Sequence, residues 1–240
     1  MIYIISDIHG CYDEYMELLR KINFKDSDEL YILGDIVDRG PHPIKVLQDM
    51  MMHPNVFPII GNHDYVALMM LRKLNVEITG DNVDNLMSND DMISYMHWIS
   101  DGGETTIKEF VLLDMEERED ILEYLEEEFS LYHDFTLNGK RYVLAHAGIN
   151  DFDENQDLEE YDLKDFLFYR ADYNKRYFAD ENTYLVTGHT PTLKIRNDKK
   201  PLVYNENGHI AIDCGCVYGG QLAAYCVDTG EVFYIKSKQI

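Results

Sequence analysis

One pattern recurs three times near the start of the chain: an apolar run, a polar turn bearing Asp, Asn or His, then apolar residues at helical spacing. Ile2–Ile5 runs into Ser6-Asp7-Ile8-His9-Gly10, and Tyr15, Leu18, Leu19 and Ile22 predict a helix over Cys11–Ile22. Leu30–Leu33 runs into Gly34-Asp35-Ile36-Val37-Asp38-Arg39-Gly40, followed by a predicted helix from Ile44 to Met52 whose start suits Pro41 and Pro43. Val56–Ile60 runs into Gly61-Asn62-His63-Asp64, with a helix through Tyr65, Leu68, Met69 and Leu71. Strands alternating with helices predict an α/β chain. In open α/β sheets, ligands bind outside the carboxyl ends of the strands.

The second turn is the densest in chemistry. Asp35, Asp38 and Arg39 fall within five residues, bracketed by glycines that let the backbone bend or approach a ligand closely. Such a turn suits a metal and an anion together, since a carboxylate can bridge cations and a guanidinium can grip phosphate. A local Asp–Arg pair is the simpler alternative. In the first turn, Asp7 and His9 are two apart on a segment read as extended, so they should point the same way.

The C-terminal part reads as β-rich. Leu131–Leu137 and Arg141–Ala145 flank the hairpin signal Asn138-Gly139. Arg141–Ala145 runs into His146-Ala147-Gly148, and Tyr184–Thr187 into Gly188-His189-Thr190-Pro191. Further strands are expected at Val203–Tyr204, His209–Ile212, Gln221–Val227 and Val232–Lys236.

Between these parts, residues 75–130 carry acidic and amide-rich stretches, among them Asp81-Asn82-Val83-Asp84-Asn85. Ile121, Leu122, Leu125 and Phe129 predict an amphipathic helix, and Gly102-Gly103 should separate two helices. The region reads as an acidic helical elaboration of one domain spanning 1–240, able to shade a cleft. Trp98, the only tryptophan, is expected to pack.

With 21 basic and 45 acidic residues, the net charge of -24 argues against a nucleic acid or membrane partner. No apolar run is long enough for a membrane span and no leader peptide is expected, so a cytoplasmic protein is expected. Cys11, Cys214, Cys216 and Cys226 then read as reduced core thiols; Cys214-Gly215-Cys216 has no second ligand pair to complete a zinc site.

Asp7, His9, Asp35, Asn62, His146 and His189 thus stand at five strand ends. Mixed oxygen and nitrogen donors suit manganese, iron or zinc rather than calcium, and six can serve two divalent ions if Asp35 bridges. His42, His53, His97, His133 and His209 fit no such pattern and read as surface or core residues.

Taken in order, SDIHG, GDIVDRG, GNHD, HAG and GHT resemble the phosphoprotein phosphatase family within the calcineurin-like metallophosphoesterases, over about residues 2–230. DGGETT and IDCGCVYGGQLAA resemble its bacterial branch of small Ser/Thr/Tyr protein phosphatases and symmetrical diadenosine tetraphosphate hydrolases. Ser6 stands where that family usually has Gly, and Asp64 where eukaryotic members have Glu. The resemblance implies a two-sheet β-sandwich flanked by helices. It implies one metal on Asp7, His9 and Asp35, and a second on Asp35, Asn62, His146 and His189. It makes His63 the general acid, oriented by Asp38, with Arg39 and Arg170 holding phosphate; Tyr218 is given no role. Manganese is the expected metal, with iron or zinc as alternatives. The implied reaction is direct attack by a metal-bridging hydroxide on a phosphomonoester, a Ser/Thr or Tyr phosphoprotein or a small phosphoester. A symmetrical diadenosine tetraphosphate hydrolase is the alternative, and a metal-binding scaffold without catalysis the alternative of another class. The intact His63, Asp38 and Arg39 weigh against the last.

Overall fold

The computed structural model describes residues 1–76 and 87–239. The stretch Asp81–Asn85, part of the expected acidic elaboration, lies outside the described residues. Two five-stranded sheets form the frame. The first has β1 (Ile2–Ile5), β2 (Glu29–Leu33) and β3 (Val56–Ile59) side by side and parallel. The second has β4 (Tyr132–Leu137), β5 (Lys140–Ala145), β6 (Thr183–Thr187), β7 (Tyr204–Glu206) and β8 (His209–Ala211), in the order β4-β5-β6-β8-β7. There β5, β6 and β8 are parallel, with β4 and β7 antiparallel at the edges. β9 (Gln221–Cys226) and β10 (Val232–Lys236) return to the first sheet, with β9 antiparallel to β1.

Strand alternation divides the core into layers. Ile4, Leu33 and Ile59 of the first sheet meet Leu144, Val186 and Ile210 of the second in one buried cluster, so the sheets pack face to face. The alternate residues Tyr3, Ile5, Leu30 and Ile32 turn the other way, into a cluster with α1 (Tyr12–Ile22), α2 (Pro43–Met51), α3 (Asn62–Leu74) and α6 (Met115–Glu127). Val143, Ala145 and Leu185 face a third cluster under the segment 149–178, which holds α7 (Leu163–Leu167). The fold is therefore a two-sheet α/β sandwich flanked by helices.

Boundaries shift where hydrogen bonding overrides apolar pattern. α3 begins at Asn62 itself, so Asn62, His63 and Asp64 form its first turn rather than a loop before it. α6 stops at Glu127, and Phe129 packs beyond its end against Tyr124 at 5.6 Å. α4 (Asn89–Trp98) and α5 (Glu104–Phe110) are joined by a wide turn, Ile99–Gly103, in which Gly102 has φ 112°. That Gly pair does separate two helices. Ser88 and Asp114 cap α4 and α6 through reciprocal capping boxes. No helix among the described residues is long and apolar enough to cross a membrane.

Candidate metal centre

The six strands with a parallel neighbour all deliver polar side chains at their carboxyl ends: β1 leads to Asp7, β2 to Asp35, β3 to Asn62, β5 to His146, β6 to His189 and β8 to Asp213. The backbone turns hard to present them. Asp7, His9, Asp35, Asp38, Arg39 and His189 all have φ between 46° and 69°. Side chains with a Cβ rarely adopt this left-handed conformation, at a cost of order 1–3 kcal/mol each. Asp7 and His9 therefore converge through two left-handed residues, not through the alternation of an extended segment.

Hydrogen bonds hold these turns together. The amides of Asp7, His9 and Gly10 donate to the carbonyls of Gly34, Asp35 and Ile36 at 3.0, 2.9 and 2.8 Å, tying the first turn to the second. Buried Asp64 accepts from the amides of Ile36, Val37 and Gly61 at 2.9, 3.2 and 3.0 Å, tying the second turn to the third. Gly34 has to be glycine: a Cβ there would lie 2.5 Å from the Gly61 backbone and 2.7 Å from His146 Nδ1.

Two groups of potential ligand atoms, each within 4.8 Å, result: His9, Asp35 and His63, and Asp35, His146 and His189. Asp35 belongs to both. Asn62 joins the second group, its Oδ1 standing 3.0 Å from His146 Nε2. Asp7 accepts the His189 amide at 2.9 Å and lines the same cavity of about 160 Å³ as His9, Asp35, Asn62 and His189. His9 Nδ1 donates to the Val37 carbonyl at 2.9 Å, and His146 Nδ1 to that of Leu33 at 2.7 Å. Each ring thus leaves Nε2 unprotonated, the tautomer a metal requires, although the His9 lone pair meets the Arg39 guanidinium in this structure.

Electrostatics also fit a cation. Burial lowers His9 to about 3; burial and then His146 lower His189 to about 3, so both imidazoles are neutral. Burial, then Asp213 and Asp35, raise Asp7 well above the carboxylate range. Burial raises Asp213 to about 7. Burial works to raise Asp35 too, but His146, His63 and His9 outweigh it and hold it below the usual range. Three buried acids around neutral imidazoles form a donor set that divalent cations would relieve.

His63 and Arg39 are held differently. His63 Nδ1 donates to Asp38 Oδ2 at 2.7 Å, leaving Nε2 3.5 Å from Asp101 Oδ2. Burial opposes its charge, but the Asp38 hydrogen bond and Asp35 raise its pKa overall. Asp38 is fully buried and also accepts from Trp98 Nε1 at 3.0 Å and Thr106 Oγ1 at 2.6 Å. Arg39 donates to His9 Nε2 at 2.7 Å and to Asp101 Oδ1 at 3.1 Å, and lies 5.5 Å over the Tyr218 ring. Arg170 also lines the cavity and donates to Thr190 Oγ1 at 3.1 Å.

Sequence reasoning misses three residues here. Asp213 stands just past β8, a place that matches those of the other acids and is its one local signal. Trp98 is buried and packs, as expected, but its indole also grips Asp38. Thr106 belongs to the DGGETT stretch, and only the folded chain brings it to Asp38. Among the unassigned histidines, His209 is buried against Tyr173, His42 bonds Glu109, and His97 lines a neighbouring cavity. The four cysteines are free and buried.

A family model described as calcineurin-like phosphoesterase matches residues 1–212. A bis(5'-nucleosyl)-tetraphosphatase PrpE, asymmetrical, of Halalkalibacterium halodurans is 29% identical, with 98% of this chain and 94% of that protein covered. The protein of the same name from a Geobacillus strain is 30% identical, covering 92% and 88%. A crystal structure described as a candidate diadenosine tetraphosphatase superposes with a TM-score of 0.62 at 20% identity, covering 98% of this chain and 93% of that one; the likeness is one of fold.

Proposed function

The chain belongs to the calcineurin-like phosphoesterase family, and we propose that within it the chain is a dinuclear metal-dependent hydrolase of nucleoside polyphosphates. Members of that family hydrolyse phosphate esters. The carrying observation is that Asp35 lies within reach of two separate groups of ligand atoms. On this reading Asp7, His9 and Asp35 hold one divalent ion, and Asp35, Asn62, His146 and His189 hold the other. Manganese is the metal proposed first; iron and zinc also suit the donors. When bound, the ions supply Lewis acidity and an activated water at neutral pH.

The chain's own residues do the rest. Arg39 and Arg170 both line the cavity, and on this reading they grip the phosphate oxygens and offset charge that grows in the transition state. His63 belongs to the first ligand group by distance. We assign it the leaving-group proton instead, because Nδ1 is committed to Asp38 and only Nε2 faces the cleft. Asp38 keeps that imidazole oriented and favours its protonated form. The whole chain, 1–240, serves as one catalytic domain, supported by the packing of α6 and Phe110 of α5 into the core of the first sheet. A cytoplasmic location is supported by the unpaired thiols.

The names of the relatives support an asymmetrically cleaved dinucleoside tetraphosphate as substrate. A phosphoprotein is the second reading, favoured by the motifs and by Tyr218, 62% exposed beside Arg39, where a peptide could lie. Parallel rates with Mn²⁺ on diadenosine tetraphosphate and on a phosphoserine peptide test the choice. The higher kcat/KM is expected on the dinucleotide; a higher value on the peptide would move the assignment to the second reading.

A further inference from the structure

The small metal cavity opens into a different neighbour on each side. On one side lies a cavity of about 430 Å³ that shares Asn62, His63 and Asp101 with it and is walled by Val66, Trp98 and Phe168. Phe168 is 50% exposed, a large aromatic face left open beside the site. On the other side lies a cavity of about 560 Å³ that shares Arg170 and Lys194 with it. One flank is therefore aromatic, with Asp101 its only acid or base besides histidine. The other flank presents Arg170 and Lys194 to the metal cavity, while its own wall also carries Arg196 and the acids Asp172, Asp198 and Glu206.

His63 decides which flank receives what. A proton donor must face the leaving oxygen, and His63 lines the aromatic cavity. We propose that this cavity, with Phe168 as its stacking face, binds the base of the departing nucleoside 5'-monophosphate. The longer phosphate chain then runs towards Arg170 and Lys194. This rests on the nucleoside polyphosphate reading above and adds a direction of cleavage to it. The attacked phosphorus is the second from the departing nucleoside. The water oxygen bonds to that phosphorus, and the bond from it to the bridging oxygen breaks. The bridging oxygen leaves with the mononucleotide and takes the His63 proton, while the water's proton is released. A dinucleoside tetraphosphate thus yields a mononucleotide and a nucleoside triphosphate.

Trp98, the only tryptophan, lines the proposed subsite and reports on it directly. The protein is titrated with AMP and with ribose 5-phosphate while Trp98 fluorescence is followed. A saturable change is expected with AMP at lower concentration than with ribose 5-phosphate. Phe168→Ala should weaken AMP roughly tenfold, in the range of one base–aromatic stack. Phe168→Tyr, which keeps the ring, should bind AMP as wild type does. Equal binding of the two ligands, or AMP affinity unchanged in Phe168→Ala, would overturn the subsite. Hydrolysis of diadenosine tetraphosphate in ¹⁸O-water reads the direction: label is expected in ATP, and label in AMP would overturn it. No turnover of the dinucleotide at all would instead overturn the reading it rests on, and the cleavage direction with it.

Discussion

The strand ends and the helical segment Asn89–Glu127 serve one cleft by different means. The strand ends carry His9, Asp35, His146 and His189 of the two ligand groups around Asp35, and the α3 start, just past β3, adds His63 together with Asn62. The helical segment adds none to those groups among the described residues. Instead Trp98 and Thr106 bond the Asp38 carboxylate, Asp101 pairs with Arg39, and the Gly102 carbonyl accepts the Arg39 amide at 2.9 Å. On the proposed reading, metal holding is built into the sheets, while proton and phosphate handling depend on a contact between sheet and helices. The two should separate by mutation.

Asp35→Asn should have the largest effect. On the proposed reading its one carboxylate serves both ions, so the variant should lose bound metal and all measurable turnover together. His63→Asn comes next and should keep its metals. General acid catalysis commonly contributes about 10²–10⁴-fold. That loss is expected on poor leaving groups such as phosphoserine, with a much smaller one on p-nitrophenyl phosphate, whose phenolate needs little protonation. Equal losses on both substrates, with release of metal, would make His63 a ligand and merge the two regions. Asp38→Asn should shift the alkaline limb of the phosphoserine rate to lower pH, because the Asp38 hydrogen bond helps to raise the His63 pKa.

Arg39→Ala should retain both ions and lose about 10²–10³ in kcat, the usual worth of one transition-state contact. Metal loss on this substitution, seen by elemental analysis, would give Arg39 a structural part in the sheet region. The smallest effect is expected from Thr106→Val. It removes the hydrogen bond donated to the buried Asp38 carboxylate, commonly worth about 1.5–3 kcal/mol, and with it the bond that the Asp38 amide donates to the same hydroxyl at 3.0 Å. Phosphoserine turnover should fall by roughly tenfold or more, with metal content and the p-nitrophenyl phosphate rate nearly unchanged.

The same division governs what is legible before folding. A strand ending in Asp, Asn or His is a local pattern, so the residues around Asp35 are legible from spacing alone. The reason they converge is not: left-handed φ at Asp7, His9 and His189 leaves no mark in residue type, since none is glycine. Trp98 and Thr106 lie 60 and 68 residues from the aspartate they hold. Their role needs the wide turn at Gly102, which lets Arg39 lie against it: a Cβ there would come 2.5 Å from Arg39 Cγ. Asp213 is hidden by its neighbours, since Ile212 and Cys214 make the stretch read as core. The layer pattern, by contrast, comes directly from alternation, because one face of each strand meets the other sheet and the opposite face meets helices or the 149–178 segment.

Metal content tests the separation most directly. Wild type, Asp35→Asn and Thr106→Val would be loaded with Mn²⁺, dialysed and assayed by elemental analysis for ions per chain. Two ions are predicted for wild type and for Thr106→Val, and fewer than one for Asp35→Asn. Two ions retained by Asp35→Asn, or ions lost from Thr106→Val, would contradict the claim that the strand ends and the α3 start hold the metals without the helical segment and that Asp35 joins them.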